Sequence, residues 1–330
     1  MALKLARMAT GRHKTISMWD SFHGATLDTI SIAGEAIFRQ HMGPLMPGTE
    51  HVPPADEYRC VFGCSGRGGC DLVCADYVEY ILEKEGDIAA VISEPIRSTP
   101  YIPRPEYWQK IRQACDRHGA LLIFDEIPHS LGRTGKMFTF ENFGVIPDIV
   151  AIGKGLGGGV LPLAAIIARE HLDVAGERAL GHYTHEKNPV SCAAALAAIN
   201  YIEKHKLVDH ARQLGRYSMK RLDDMKQRHG LIGDVRGRGL LFGVDLVLDR
   251  EAKTPATGAA DYIVAGRRLT LPAFTASLVT TWYGGILGVG EYTWKYGVSN
   301  WLVFGVPYYL AAGVFATVLA GRARRSRALT

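Results

Sequence analysis

Residues 121–138, LLIFDEIPHSLGRTGKMF, and residues 147–159, PDIVAIGKGLGGG, decide the fold. In the first stretch an unbroken apolar run ends in Asp125. In the second a run from Asp148 to Gly153 ends in Lys154 and a glycine-rich turn. Short apolar runs bounded by turn signals read as buried strands, and strands buried on both faces belong to parallel sheets. Working outward, the first run spans Ala120 to Phe124, Asp87 to Ser93 reads as another buried strand with Pro105 to His118 as an amphipathic helix between the two, and Leu163 to Arg169 reads as a further strand. Helices follow at Pro189 to Lys204 and Lys206 to Gln227. Strand, helix, strand order predicts an α/β fold, a mainly parallel sheet with helices on both faces.

The chain has 330 residues and a formal net charge of +5. From Gly258 onward, seven basic residues stand against two acidic ones, so the whole excess lies there. The first 257 residues are balanced and offer no basic face for nucleic acid. No secretory signal opens the chain, so a cytoplasmic catalytic part is expected. Beyond Thr257 the character changes. Leu269 to Gly290 and Tyr296 to Gly321 are uncharged and mostly apolar, each long enough to span a bilayer. Arginines before and after them predict a transmembrane helical hairpin over 258–330 with both ends on the cytoplasmic side; a pair of buried core helices is the other reading.

Asp125 and Lys154 both fall at strand ends, where open α/β sheets place their ligand crevice. A pyridoxal enzyme needs a lysine to hold the cofactor as an imine and to move a proton at the substrate carbon. It also needs a carboxylate beside the pyridine nitrogen. Lys154 and Asp125 have the positions for these tasks. Taken alone, they read equally as a solvated lysine and a capping acid. GKGLGGG lacks the Ser or Thr after lysine that a nucleotide phosphate loop requires.

The block from Ala2 to about Val247 resembles the class III pyridoxal-phosphate-dependent aminotransferases. KLARMATGR, SFHGAT, Glu94-Pro95, FDEI with GRTGKMF, PDIVAIGKGLGGG, NPVSCAAALA and GDVRGRGLLFGV follow in the family's order. The resemblance implies a type I aminotransferase large domain over residues 1–257, with a mixed seven-stranded sheet, pyridoxal 5'-phosphate as cofactor, amine and oxo-acid substrates, and a homodimer with shared active sites. It also implies roles for single residues. Lys154 matches the imine lysine, and Asp125 matches the partner of the ring nitrogen. Phe22, followed by His23 and Gly24, matches the aromatic residue stacked on the cofactor. Thr184 matches the threonine that reaches the phosphate of the neighbouring subunit.

The chain departs from the family pattern in four ways. The family's first hundred or so residues and its small C-terminal domain are not found, and impaired activity is expected without them. Pro128 stands where the family has a glutamine that bonds the ring oxygen, a bond proline cannot make and His129 can. DEIP, GEAIFR and PGTEHVPP resemble an offshoot containing lyases that act on amino alcohol phosphates or phosphonates. The segment from Asp261 to Arg325 resembles the early core helices of sodium:solute symporters, so a non-catalytic fusion product or symporter fragment stays open as an alternative. Finally, Cys60, Cys64, Cys70 and Cys74 form two C-x3-C pairs in a glycine-rich loop. Four thiolates can close a tetrahedral zinc or an iron–sulfur cluster, although the usual spacing within a pair is x2, and free thiols are the other reading. Cys115 and Cys192 read as small buried helix residues.

Overall fold

The computed structural model describes residues 1–64 and 69–255. The predicted transmembrane hairpin and the symporter-like segment lie outside the described residues. Among the described residues no helix is long and apolar enough to cross a membrane.

Residues Met1–Lys253 form one compact unit. Helix α1 (Ala2–Thr10) leads into strand β1 (Lys14–Met18), followed by α2 (Leu27–Ile32) and β2 (Thr49–Val52). Then come α3 (Val73–Glu85), β3 (Ile88–Ser93), α4 (Pro105–His118) and β4 (Leu121–Asp125). Strands β5 (Ile149–Ile152) and β6 (Ala165–Ala168) complete the sheet. Helices α5 (Pro189–Lys204) and α6 (Leu207–Arg228) and the hairpin β7 (Ile232–Arg238) and β8 (Leu241–Asp249) follow.

The strand order is β2-β1-β3-β4-β5-β6. Every pairing is parallel except β5 with β6, which is antiparallel, so the sheet is mixed and mainly parallel as expected. It has six strands among the described residues, where the resemblance implies seven. The apolar runs that mark β3 and β4 are buried because both faces of the sheet are covered. On one face, Val78 and Leu82 of α3 and Tyr107, Trp108 and Ile111 of α4 pack on Ile16, Leu122 and Phe124. On the other, Leu3 and Leu5 of α1 pack on Ala90, Ile92, Ile123 and Ile149.

The helices begin and end where their punctuation directs. Pro105 occupies the first turn of α4, where its missing N–H costs nothing, and Gly119 ends the helix at φ 62°. Asn188 caps α5, its side chain accepting from the N–H groups of Val190 and Ser191. One buried acid ties this frame together. Asp148, just before β5, accepts from Arg112 of α4 at 2.6 Å and from the Leu122 N–H of β4 at 2.7 Å. The ends of β4 and β5, which carry the two residues of interest, are thereby held in register, with Asp125 opposite Ala151.

Candidate active site

Asp125 ends β4 at the carboxyl edge of the sheet and is buried. Its Oδ1 accepts from the Ile127 N–H at 3.1 Å, and its Oδ2 lies 2.9 Å from Nδ1 of His23. His23 sits in the loop after β1, the strand two places away, because the parallel topology brings β1, β3, β4 and β5 to the same edge. Its Nε2 is buried and has no hydrogen-bond partner among the described residues. Lys154 follows β5 at the same edge, on the strand adjacent to that of Asp125. Its side chain is exposed, and its backbone is left-handed at φ 45°. That conformation is uncommon for a residue with a Cβ and clusters at functional sites.

Two buried titratable groups, bridged by the exposed Ser98, lie beside this pair. Glu94, at the end of β3, is pushed up to about 7, first by burial and further by the Asp125 charge, against the opposing pull of His23 and Lys154. His129, beyond the turn after β4, is pushed down to about 4, first by burial; Asp125 pulls it up, while Lys154 and Arg133 push it down. Both groups therefore lie within the fields of Asp125 and Lys154 together. Ser98 stands between them, donating to Glu94 Oε1 at 3.2 Å and lying 3.3 Å from His129 Nε2. The other ring nitrogen of His129, Nδ1, is buried and without a partner among the described residues. Glu126 has a different task. It accepts from the N–H groups of Thr139 and Phe140 at 2.6 and 2.7 Å and so fixes the return of the 131–138 loop. Burial nevertheless raises it to about 7.

The sequence-predicted residues divide in two. His23, Asp125 and Lys154 gather at one edge. Phe22 is next to His23 and 38% exposed, its ring tilted against Phe38 at 4.3 Å, so one face is open. Thr184 lies in an exposed turn before α5, apart from the others. Pro128 is half-buried and offers no donor, while its neighbour His129 is buried and near enough to Asp125 and Lys154 to be shifted by both. Ser98 carried no sequence signal, being one serine among several. Glu94 was visible only as part of a quoted motif, although a lone acid ending an apolar strand is the same signal that drew attention to Asp125.

The four cysteines are neighbours, Cys60, Cys64 and Cys70 before α3 and Cys74 in its first turn rather than in the loop, but they are not a preassembled metal site. None is in a disulfide, and Cys60, Cys70 and Cys74 line one narrow cavity with Arg104 and Tyr107. Burial, and then the nearby Cys70, Cys60 and Cys64, push the Cys74 thiol up to about 12, which keeps it protonated and inert. Among the described residues no three His, Cys, Asp or Glu side chains converge closely enough to hold a metal ion. Cys192, read as a buried helix residue, is exposed on α5, whereas Cys115 is buried as expected.

The model of the family described as Aminotransferase class-III matches residues 1–271. The chain belongs to this family. The match runs past residue 257, where the sequence changes character. As a class III family member, the chain is 46% identical over 278 residues to an (R)-1-hydroxy-2-aminoethylphosphonate ammonia-lyase of Vibrio splendidus (strain 12B01), covering 80% of this chain and 58% of that enzyme. It is 40% identical over 269 residues to a leucine/methionine racemase of Thermococcus litoralis, covering 80% of this chain and 60% of the racemase. Among solved structures, an amine transaminase from an uncultivated Pseudomonas species in its PLP-bound form superposes with a TM-score of 0.72 at 29% identity, covering 80% of this chain and 64% of that one. The chain spans about 60% of the length of these curated relatives. A lyase, a racemase and a transaminase all resemble this chain, so the fold alone does not choose the reaction.

Proposed function

We propose that the chain is a pyridoxal-phosphate enzyme acting on primary amines, with transfer of the amino group to an oxo acid as its reaction. The observation that carries this reading is the buried carboxylate of Asp125, braced by His23, on the strand beside the one that delivers Lys154. The residues suit the cofactor: a buried acid for a cationic ring nitrogen, a half-exposed aromatic face on Phe22, and a reachable primary amine. When bound, the cofactor supplies an electrophilic carbonyl carbon and an electron-accepting ring.

The protein's own groups do the rest. Lys154 is the covalent anchor and, once released, takes the proton from the amine-bearing carbon of the amine donor and, in the second half of the reaction, gives a proton to the corresponding carbon of the oxo-acid acceptor. Asp125 keeps the ring nitrogen protonated, and His23 holds the Asp125 carboxylate in orientation. Phe22 covers one face of the ring. Thr184 contributes to the phosphate site of a neighbouring copy in a homodimer.

A second reading is favoured by the 46% identity with the phosphonate ammonia-lyase and by Pro128. In it the same proton is taken, and a hydroxyl then leaves the neighbouring carbon.

The test is to add pyridoxal phosphate to the purified chain and to a Lys154→Ala variant. A visible absorbance band in the first and none in the second supports the site; no band in either, or one that survives the substitution, rejects it. Loss of amine to an oxo acid, against release of free ammonia from a hydroxylated aminophosphonate, then separates the two reactions.

A further inference from the structure

The machinery above uses Asp125, His23 and Lys154 but leaves three polar groups beside them unexplained. Glu94, Ser98 and His129 form a continuous hydrogen-bonded chain whose ends are buried, Glu94 at 8% and His129 at 1% exposure, and whose middle member Ser98 is exposed. Ser98 has a single hydroxyl proton. Where Glu94 is ionised, Ser98 donates that proton to its Oε1, so the Ser98 oxygen accepts from His129 and the ring proton lies on Nε2. Nδ1 is then a bare lone pair. It is also the one nitrogen of that ring without a partner among the described residues, and the ring as a whole lies within the fields of Asp125 and Lys154.

We propose that Glu94, Ser98 and His129 are a proton relay, with the carboxyl group of Glu94 as the reservoir and Nδ1 of His129 as the outlet into the active site.

The chain has two arrangements, which differ by one proton. In the first, Glu94 is a carboxylate, Ser98 donates to it, Nε2–H donates to Ser98, and Nδ1 accepts. In the second, Glu94 is protonated and donates to Ser98, Ser98 donates to a bare Nε2, and Nδ1 carries the hydrogen. Delivery converts the second into the first. Nδ1 gives its proton to the oxygen or nitrogen of a group bound in the site, Nε2 takes the proton of Ser98, and Ser98 takes that of Glu94, which becomes a carboxylate. One proton leaves and one negative charge remains at Glu94, while the ring is neutral at both ends of the step.

The electrostatics suit this use. Burial keeps the His129 ring neutral at ordinary pH and raises Glu94 to about 7, where it can be loaded and unloaded. The charged and titratable groups acting on Glu94 are His23, Asp125 and Lys154; those acting on His129 are Asp125, Lys154 and Arg133. Within the proposed function the relay serves the elimination reading directly, since a departing hydroxyl needs a donor in the wall while the carbon proton belongs to Lys154.

Its test needs no cofactor. In the chain labelled with nitrogen-15 histidine, the His129 signals are assigned by their loss in His129→Asn, and its tautomer is followed against pH alongside the infrared carboxyl band lost in Glu94→Gln. The expected result is an inversion of the neutral tautomer, Nε2–H above the transition and Nδ1–H below it, at the midpoint where the Glu94 carboxyl titrates. Ser98→Ala should leave the tautomer indifferent to that titration, and Ser98→Thr should restore the coupling. A His129 ring that keeps one tautomer while Glu94 titrates, or that becomes doubly protonated with it, overturns the relay, as does an inversion that persists in Ser98→Ala. The coincidence of the two midpoints in the unaltered chain decides the matter even where a variant fails to fold.

Discussion

Nδ1 of His23 lies 2.9 Å from Oδ2 of Asp125, across 102 residues of chain, with side-chain exposures of 1% and 7%. Two loops that follow non-adjacent strands are thereby joined at the carboxyl edge of the sheet. The contact sets the orientation of the acid before any ligand arrives, because Oδ1 is already committed to the Ile127 N–H.

The first prediction follows from that enclosure. A hydrogen bond to a charged group contributes roughly 1.5–3 kcal/mol, and removing one partner leaves the other desolvated. His23→Ala should therefore lower unfolding stability by about 2 kcal/mol and weaken binding of added pyridoxal phosphate in the same preparation. Urea unfolding and an absorbance titration measure the two. A variant as stable as the parent, with unchanged cofactor affinity, would show that His23 neither braces Asp125 nor matters to the site.

Much of this was legible in the chain. Helices α4 and α5 fall on their predicted bounds, since proline at the first helical turn and glycine or asparagine at the caps act locally. Strands β3 and β4 were legible because both faces are buried, which makes them continuously apolar. The pairing of His23 with Asp125, and of Ser98 with His129, was not legible as contacts. Each depends on the parallel crossover that brings the ends of distant strands together, and no local pattern encodes it. Pro128 reads as a loss for which His129 can compensate, and the geometry adds that this imidazole is buried and bonded to Ser98.

Asp148 supplies the second prediction. It is 6% exposed and holds Arg112, the Leu122 N–H and, at 3.2 Å, Arg169. Breaking a buried pair by removing one partner typically costs 3–5 kcal/mol. Asp148→Ala should destabilise the chain by about that amount, whereas Arg169→Ala, at the exposed end of the same cluster, should cost less than about 1 kcal/mol. Chemical unfolding of both variants is the check. Equal losses would mean that the buried carboxylate does not organise the β4–β5 junction.

Gly239 supplies the third. It lies between β7 and β8 at φ 56°, and a Cβ built there would fall 2.4 Å from the carbonyl carbon of Thr134 and 2.5 Å from the Arg133 oxygen. Neither backbone atom can swing aside as a side chain can. The Leu240 N–H also donates to the Arg133 oxygen at 2.8 Å, so the hairpin turn is seated on the 131–138 loop. Gly239→Ala should cost roughly 1–3 kcal/mol and loosen that loop, seen as faster hydrogen exchange at Leu131 and Leu240. Gly230→Ala, at a glycine with open space around its Cβ, is the control and should cost far less. A Gly239→Ala variant indistinguishable from this control would rule out close packing between the turn and the loop.

Glu126 gives a prediction whose sign is fixed by linkage. Its carboxyl is raised from 4.5 to about 7 because burial outweighs the two N–H groups that favour the charged form. A carboxyl with a higher value in the folded state binds its proton more tightly there than in the unfolded chain. Its contribution is therefore fully present below pH 4.5, is lost as pH rises towards 7, and does not change further above that. The full loss is on the order of 3 kcal/mol. Glu94 acts in the same direction, and His129, lowered to about 4, acts in the opposite one, stabilising as pH rises from 4 to 6.5. Glu126→Gln leaves both of those in place and removes a single titration. The amide can accept from only one of the Thr139 and Phe140 N–H groups at a time, which imposes a penalty independent of pH. The informative quantity is thus the stability of Glu126→Gln minus that of the parent, measured by urea unfolding from pH 4.5 to 8. It should become steadily less negative up to about pH 7, by on the order of 1–3 kcal/mol, and then level off. A difference that stays constant across this range would show that Glu126 is ionised throughout, with its two N–H partners outweighing its burial.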